Sequence, residues 1–327
     1  NFSSADKLSF TASIKQDNVF GTGNYLGIEL NTSRSGRTLV LSTVDPYFTD
    51  DGISRSLDLY YKTQKPLNSQ GEEYELVTPG ASVRFGVPFS EFDTVFFGIG
   101  VERTEIKSTT ALPENFFRYR ALFGDKSTSF PLTVGWQRDG RDSALVPNNG
   151  RYARFNIELG IAGDTRYLRS NWQLQQYIPI TKRTTLGLNG ELGYGVGLQG
   201  RPYPIFKNFY GGGLGTVRAF DQNSLGPVDV TGAYIGGNRR LNLNAEYYVP
   251  FPGTGNDRTL RLFAYGDAGN VWREGEPMTL DSLRASVGIG MSWISPVGPL
   301  KLSWGSPVRK FSTDRIQRFQ FQIGTAF

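Results

Sequence analysis

The sequence has no cysteine and no histidine among its 327 residues. That excludes thiol nucleophiles, Ser-His-Asp triads, Cys/His zinc sites and haem axial histidines, so neither a metal nor a cofactor is expected. Long hydrophobic runs are missing too: nothing approaches the roughly 18–20 consecutive apolar residues of a membrane-spanning helix. Apolar residues make up 38%, and mean hydropathy is −0.34. The net charge of +5 is small for this length and its basic residues are scattered. Without a basic stripe or tail, a nucleic-acid partner is not expected. No signal-peptide pattern opens the chain, and Asn1 begins in mid-pattern, as in a mature or truncated piece.

What is there is glycine, aromatics and alternation. The chain has 40 glycines and 13% aromatics. Leu8, Phe10, Ala12 and Ile14 oppose Ser9, Thr11, Ser13 and Lys15. The same period of two runs through Leu26–Asn31, Leu57–Lys62, Leu132–Gln137, Arg154–Ile161 and Leu186–Leu192. It continues through Leu241–Glu246, Ala285–Trp293, Leu300–Gly305 and Phe319–Gly324. A soluble β-sandwich also alternates, but its polar face meets bulk water and is rich in Lys and Glu. Here that face mixes Gly, Ser, Asn and Gln with few charges, which suits a crowded polar lumen. The expected fold is all-β: a transmembrane antiparallel β-barrel occupying residues 1–327 as one domain.

The runs amount to about fifteen complete strands, and bacterial single-chain barrels have an even number. An intact barrel of sixteen strands follows, with Asn1–Ser3 as the end of a truncated first strand, because an unpaired strand edge in lipid is costly. Connections alternate between short (Asp17–Gly23, Val87–Asp93, Pro179–Arg183, Ser295–Pro299) and longer (Gln64–Glu75, Thr110–Thr128, Gly197–Arg240, Asp267–Ser282). Short periplasmic turns and long surface loops then place Phe327 at the periplasmic rim.

Two segments depart from this regularity. The long connection Gly197–Arg240 carries Pro204-Ile205-Phe206-Lys207-Asn208-Phe209-Tyr210, then Gly211-Gly212-Gly213-Leu214-Gly215, then Thr216-Val217-Arg218-Ala219-Phe220. One reading is a floppy Gly-rich surface loop; the other folds the loop into the lumen, aromatics packed and Arg218 at the tip. A buried arginine needs carboxylates. Glu246 and Asp267 lie on lumen-facing positions of strands that follow, and a guanidinium fork can engage both. The second segment is Gln317–Phe327, the expected last strand, with Phe319, Phe321 and Ile323 on one face, Gly324 within it and a terminal Phe327.

With these residues in view, Asn208-Phe209-Tyr210-Gly211-Gly212…Val217-Arg218-Ala219-Phe220 resembles the sixth extracellular loop of the BamA family of outer-membrane assembly factors. Gln16–Gly23, Asp45–Phe48 and Ser295–Leu300 match in order, so the resemblance spans nearly the whole chain. In that family a Val-Arg-Gly-Phe tip reaches inward to acidic wall residues, at places that Glu246 and Asp267 match. Ala219 stands where the family has glycine, and if that position needs positive φ the alanine costs about 1 kcal/mol. The C-terminal pattern resembles the signal that marks outer-membrane barrels for assembly.

The resemblance implies a function without covalent chemistry: folding and inserting outer-membrane proteins through the barrel seam. It implies unfolded outer-membrane proteins as clients, periplasmic lipoproteins docked through POTRA domains absent from this sequence, and contact with outer-membrane lipid and lipopolysaccharide. Gly324 either loosens a gate at the seam or merely relieves crowding at the wall. Arg218 either anchors the loop or takes part in gating. Competing readings are a passive porin, which would show opposed rows of charge that are absent here, and a sister translocator or autotransporter assembly factor sharing the loop. An outer-membrane phospholipase or protease would need histidine or a paired acidic centre.

Overall fold

A computed structural model describes residues 2–5, 7–65, 74–108, 112–255 and 257–324. The strands are β1 (Phe2–Ser3), β2 (Lys7–Leu8), β3 (Phe10–Gln16), β4 (Tyr25–Ser33), β5 (Gly36–Asp45), β6 (Ser54–Gln64), β7 (Tyr74–Pro88) and β8 (Asp93–Ser108). After helix α1 (Glu114–Phe123) come β9 (Lys126–Asp139), β10 (Gly150–Gly163), β11 (Tyr167–Pro179) and β12 (Thr185–Gly197). The chain ends with β13 (Arg239–Pro250), β14 (Leu260–Trp272), β15 (Arg284–Ser295), β16 (Gly298–Arg309) and β17 (Phe319–Ile323).

From β3 to β17 each strand pairs antiparallel with the next. The ring closes through β1, where Phe2 faces Ile323 on one side and Leu8 on the other. These seventeen segments form one sheet. Lys7–Leu8 and Phe10–Gln16 are one wall strand interrupted at Ser9, two residues after Lys7 at φ +59°.

Burial is inverted relative to a soluble protein. Ile14, Leu59, Ile99, Trp172, Ile289 and Trp304 on the outer face are exposed. Asn242, Asp267, Arg284, Ser303 and Gln320 on the inner face are buried. The period of two thus sorts apolar residues outward and polar residues onto a filled lumen, as a barrel in hydrocarbon requires.

Connections alternate between two rims. The turn rim carries residues 17–24, 46–53, 89–92, 140–149, 180–184, 251–255, 257–259 and 296–297; the loop rim carries 34–35, 112–125, 164–166, 198–238, 273–283 and 310–318. The asymmetry expected from sequence is incomplete, since two loop-rim connections are tight. Most of the long connection Gln64–Glu75 lies outside the described residues. The connection expected at Asp267–Ser282 begins only after Trp272, because Asp267 pairs with Asn244 and Ser286 in mid-strand.

Residues 114–123, expected as loop, form α1. Pro113 opens the helix without a side-chain cap, and Gly124 at φ +85° ends it. Its Phe116 and Tyr119 bury against Tyr74, Leu76 and Ile106, with Ile205 and Phe206 packed alongside. The helix and the long connection therefore share one apolar cluster at the loop rim.

Candidate functional site

The connection 198–238, hereafter the inward loop, enters the lumen. Tyr203, Phe209, Val217, Phe220, Leu225 and Tyr234 are all buried, which a floppy surface loop could not achieve. The glycine triplet makes the reversal. Gly212 has φ +104°, and a β-carbon there would sit 2.8 Å from the Asp221 carbonyl oxygen. The Gly213 N–H donates to the Val217 carbonyl at 2.9 Å, closing the turn. Gly211 passes close to the Val271 side chain on β14, which would clash with a β-carbon at 2.9 Å.

The turn delivers Arg218 to the wall. Its Nε and Nη2 donate to the two oxygens of Asp267 at 2.8 and 2.9 Å, and its Nη1 donates to Glu246 Oε1 at 2.7 Å. The Arg218 backbone N–H adds a third bond to Asp267 at 3.0 Å. The guanidinium stacks 3.9 Å from the Tyr265 ring centroid. Asp267, wholly buried, also accepts from Asn244 Nδ2 at 2.9 Å. Glu246 is shared with Lys301 at 3.1 Å and hydrogen-bonded by the Tyr248 hydroxyl. Burial alone would pull the Arg218 pKa down; the bonds to Asp267 and the charge of Glu246 outweigh it, so the group is held above its ordinary value. One planar fork on two carboxylates fixes orientation as well as charge.

Next to it, Ala219 has φ +71°. An L residue with a β-carbon pays about 1–2 kcal/mol for that region. Val217 and Phe220 pack with Leu225 and Ile316, all three loop residues out of solvent.

A second ionic cluster holds the root of the inward loop. Lys207 Nζ lies 2.6 Å from Glu102 on β8 and 3.0 Å from Glu158 on β10. The Tyr60 hydroxyl donates to Glu102 at 2.9 Å and the Tyr167 hydroxyl to Glu158 at 2.7 Å. Burial lowers the Lys207 pKa, but Glu158 and Glu102 raise it further, so the net direction is upward. A third pair, Arg284 with the buried Asp314 at 3.1 Å, ties β15 to the last connection. Sequence reasoning passed over Lys207, Glu102 and Glu158. The available signal was a lysine inside an aromatic run, opposite carboxylates on lumen-facing positions.

At the seam, β17 is shorter than the expected Gln317–Phe327. Phe319, Phe321 and Ile323 pair with Trp304, Leu302 and Leu300, and the Phe321 ring lies 5.2 Å from that of Phe2. Ahead of Phe319, one further backbone bond to β16 follows among the described residues, from the Gly305 N–H to the Arg318 carbonyl at 2.9 Å. Gly324 is not a strand-interior residue, as expected from the alternation. It turns away just past Ile323 at φ +97°, donating its N–H to the Pro299 carbonyl at 2.7 Å. Phe327 lies outside the described residues.

A profile of the Omp85 superfamily domain matches residues 18–327. The chain belongs to the Omp85 superfamily. Among Omp85-type relatives, the outer membrane protein assembly factor BamA of Neisseria meningitidis serogroup B is 35% identical over 98% of this chain and 45% of its own length. Sorting and assembly machinery component 50 homolog B of Xenopus laevis is 30% identical over 98% of this chain and 70% of its own length. Among solved structures, BamA from Haemophilus ducreyi lacking POTRA domains 1–3 superposes with a TM-score of 0.89 at 27% identity, covering 98% of this chain and 68% of that one. CdiB from Acinetobacter baumannii, at 13% identity and a TM-score of 0.59, shares the fold. This Omp85 chain is thus an outer-membrane β-barrel spanning less than half the length of the meningococcal relative.

Proposed function

We propose that this barrel is the membrane-embedded core of a machine that folds and inserts other β-barrel proteins into the outer membrane. The observation that carries the reading is the seam. β16 is 12 residues long and β17 only 5, so beyond Gly305 the loop-rim end of β16 presents backbone that β17 does not pair. An unfolded client strand cannot enter hydrocarbon with its own N–H and C=O groups bare. Pairing with such an edge satisfies them strand by strand, as β-augmentation inside the membrane. The work is the exchange of hydrogen-bond partners, with no bond made or broken covalently.

The short β17 bears on lipid as well. Five residues rise about 17 Å, against a hydrocarbon thickness of roughly 30 Å. A belt this short favours local thinning of the bilayer beside the seam, which lowers the barrier to insertion. On this reading the turn rim and the C-terminus face the periplasm. Clients arrive there through periplasmic POTRA domains and their lipoproteins, and the outer belt meets lipid and lipopolysaccharide. Arg218, Glu246 and Asp267 hold the inward loop in place beside the seam.

The test is client folding into liposomes with and without the full-length protein. Acceleration beyond that of an unrelated porin supports assembly; none, even with periplasmic partners, favours a translocator or channel. Ser3 and Gln322 are register partners across the closure. A Ser3→Cys, Gln322→Cys disulfide is expected to abolish acceleration and reductant to restore it. Undiminished acceleration in the locked protein counts against the gate.

A further inference from the structure

One polar side chain of the seam strand takes no part in the side-chain network of the wall. Gln320 faces the lumen from β17, opposite Ser303, and is 2% exposed. Both ends of its amide are engaged by the backbone of the inward loop. Oε1 accepts the Ala219 N–H at 3.2 Å, and Nε2 donates to the Phe220 carbonyl at 2.8 Å. Reversing the amide would set donor against donor and acceptor against acceptor, so the contact is directional.

The peptide it holds is the strained one. Ala219 at φ +71° is 0% exposed, so its N–H has no recourse to solvent. The strip around it pairs with the chain leading into β17. The Gln317 N–H donates to the Ala219 carbonyl at 2.9 Å and the Asp221 N–H to the Arg315 carbonyl at 2.9 Å, with Phe220 opposite Ile316. Residues 218–221 therefore lie between two holds: Arg218 on the wall at Asp267 and Glu246, and Gln320 on the seam strand.

We infer that Gln320 is a positioning residue that latches the inward-loop tip to the seam strand, so that the two move as one unit during client assembly; this rests on the assembly reading. β17 cannot part from β1 at the closure without carrying the tip along or breaking its bonds to a backbone that strains to leave positive φ. Latch and strain oppose each other, which keeps the released arrangement within reach.

The experiment uses the full-length protein in vesicles of phosphatidylcholine and phosphatidylglycerol, with Gln320→Leu, Ala219→Gly and the double variant. Amide hydrogen exchange of residues 216–223 and acceleration of client folding are read in parallel. Gln320→Leu strands a buried N–H and C=O, so exchange is expected to rise about tenfold and acceleration to fall about tenfold, with the heat-modifiable mobility of a folded barrel retained. Glycine adopts positive φ without strain, so the double variant is expected to recover about fivefold of both losses. A residue that merely filled space would not be rescued by a change in backbone freedom at position 219. Unchanged exchange in Gln320→Leu overturns the latch. So does raised exchange with undiminished acceleration, or a double variant no better than the single. If the wild type accelerates nothing, the assembly reading fails, while the exchange comparison still decides whether Gln320 holds the tip.

Discussion

The inward loop is held at two places, and the two holds differ in chemistry. At its root, the Lys207 ammonium sits between Glu102 and Glu158, on strands of 16 and 14 residues. At its tip, the Arg218 guanidinium meets Glu246 and Asp267, near the seam and its five-residue β17. An ammonium is a point charge that tolerates small rearrangements; a guanidinium fork is directional and specifies one orientation. The loop thus hangs from a forgiving hold at its root and a precise hold at its tip, on strands of 12 and 13 residues.

Breaking the precise hold is expected to cost most. Arg218→Ala leaves Asp267 buried with its main cation gone, a loss of about 3–5 kcal/mol. Heat-modifiable mobility should show a lower unfolding temperature, and client acceleration should fall with it. Assembly failing at unchanged melting would make Arg218 a functional rather than an anchoring residue. Arg218→Lys sharpens the comparison: it keeps the charge, loses the fork, and is expected to cost about 1–3 kcal/mol.

Breaking the forgiving hold is expected to cost less. Lys207→Met leaves two carboxylates close together, at about 2–3 kcal/mol, since Glu158 retains some access to water. Adding Glu102→Gln and Glu158→Gln is expected to return stability to within about 1 kcal/mol of wild type. The folded pKa of Lys207 is raised above its unfolded value. Its contribution is therefore fully present below the ordinary lysine range and lost only as pH rises through the higher folded value. The gap between wild type and Lys207→Met should persist through neutral pH and close only under alkaline conditions. Closure near neutrality would show that the carboxylates, not the lysine, set the balance.

These two holds also mark what the sequence discloses. The barrel was legible because lipid outside and polar side chains inside impose a period of two that resumes after every connection. The Arg218 region stood out because glycines, aromatics and an arginine in one connection make sense only if the connection is packed. The Lys207 hold was not legible: Glu102 and Glu158 lie 56 residues apart and meet only once the wall curves. Strand ends were read less well than strand existence. Asp267 was placed both on the wall and at the start of a connection, and the pairing of β14 through Trp272 settles it on the wall. Gly324 looked like strand interior from alternation alone, whereas positive φ turns it away after Ile323. Helix α1 is short, lacks a side-chain cap of its own and depends on partners from elsewhere, so local pattern did not announce it.

That dependence gives the smallest predicted effect. The inward loop supplies the cap that Pro113 cannot: Asp229 Oδ2 accepts the Glu114 N–H at 3.1 Å. Partial burial acts to raise the Asp229 pKa, but bonds from the Thr231 hydroxyl and the backbone N–H groups of Glu114, Ala233 and Thr231 outweigh it and hold it below the ordinary carboxylate value. The cap is therefore present above the unfolded pKa and lost as pH falls through the folded one. An anion at a helix N-terminus contributes about 0.5 kcal/mol. Asp229→Asn is expected to raise hydrogen exchange of residues 114–123 about twofold at neutral pH, leaving exchange of 216–223 at the Arg218 hold unchanged. The difference should persist through the ordinary carboxylate range and vanish only on acidification below it. If exchange at 216–223 rises as well, the two ends of the inward loop are coupled through α1, and the division between a forgiving and a precise hold gives way to a single cooperative plug.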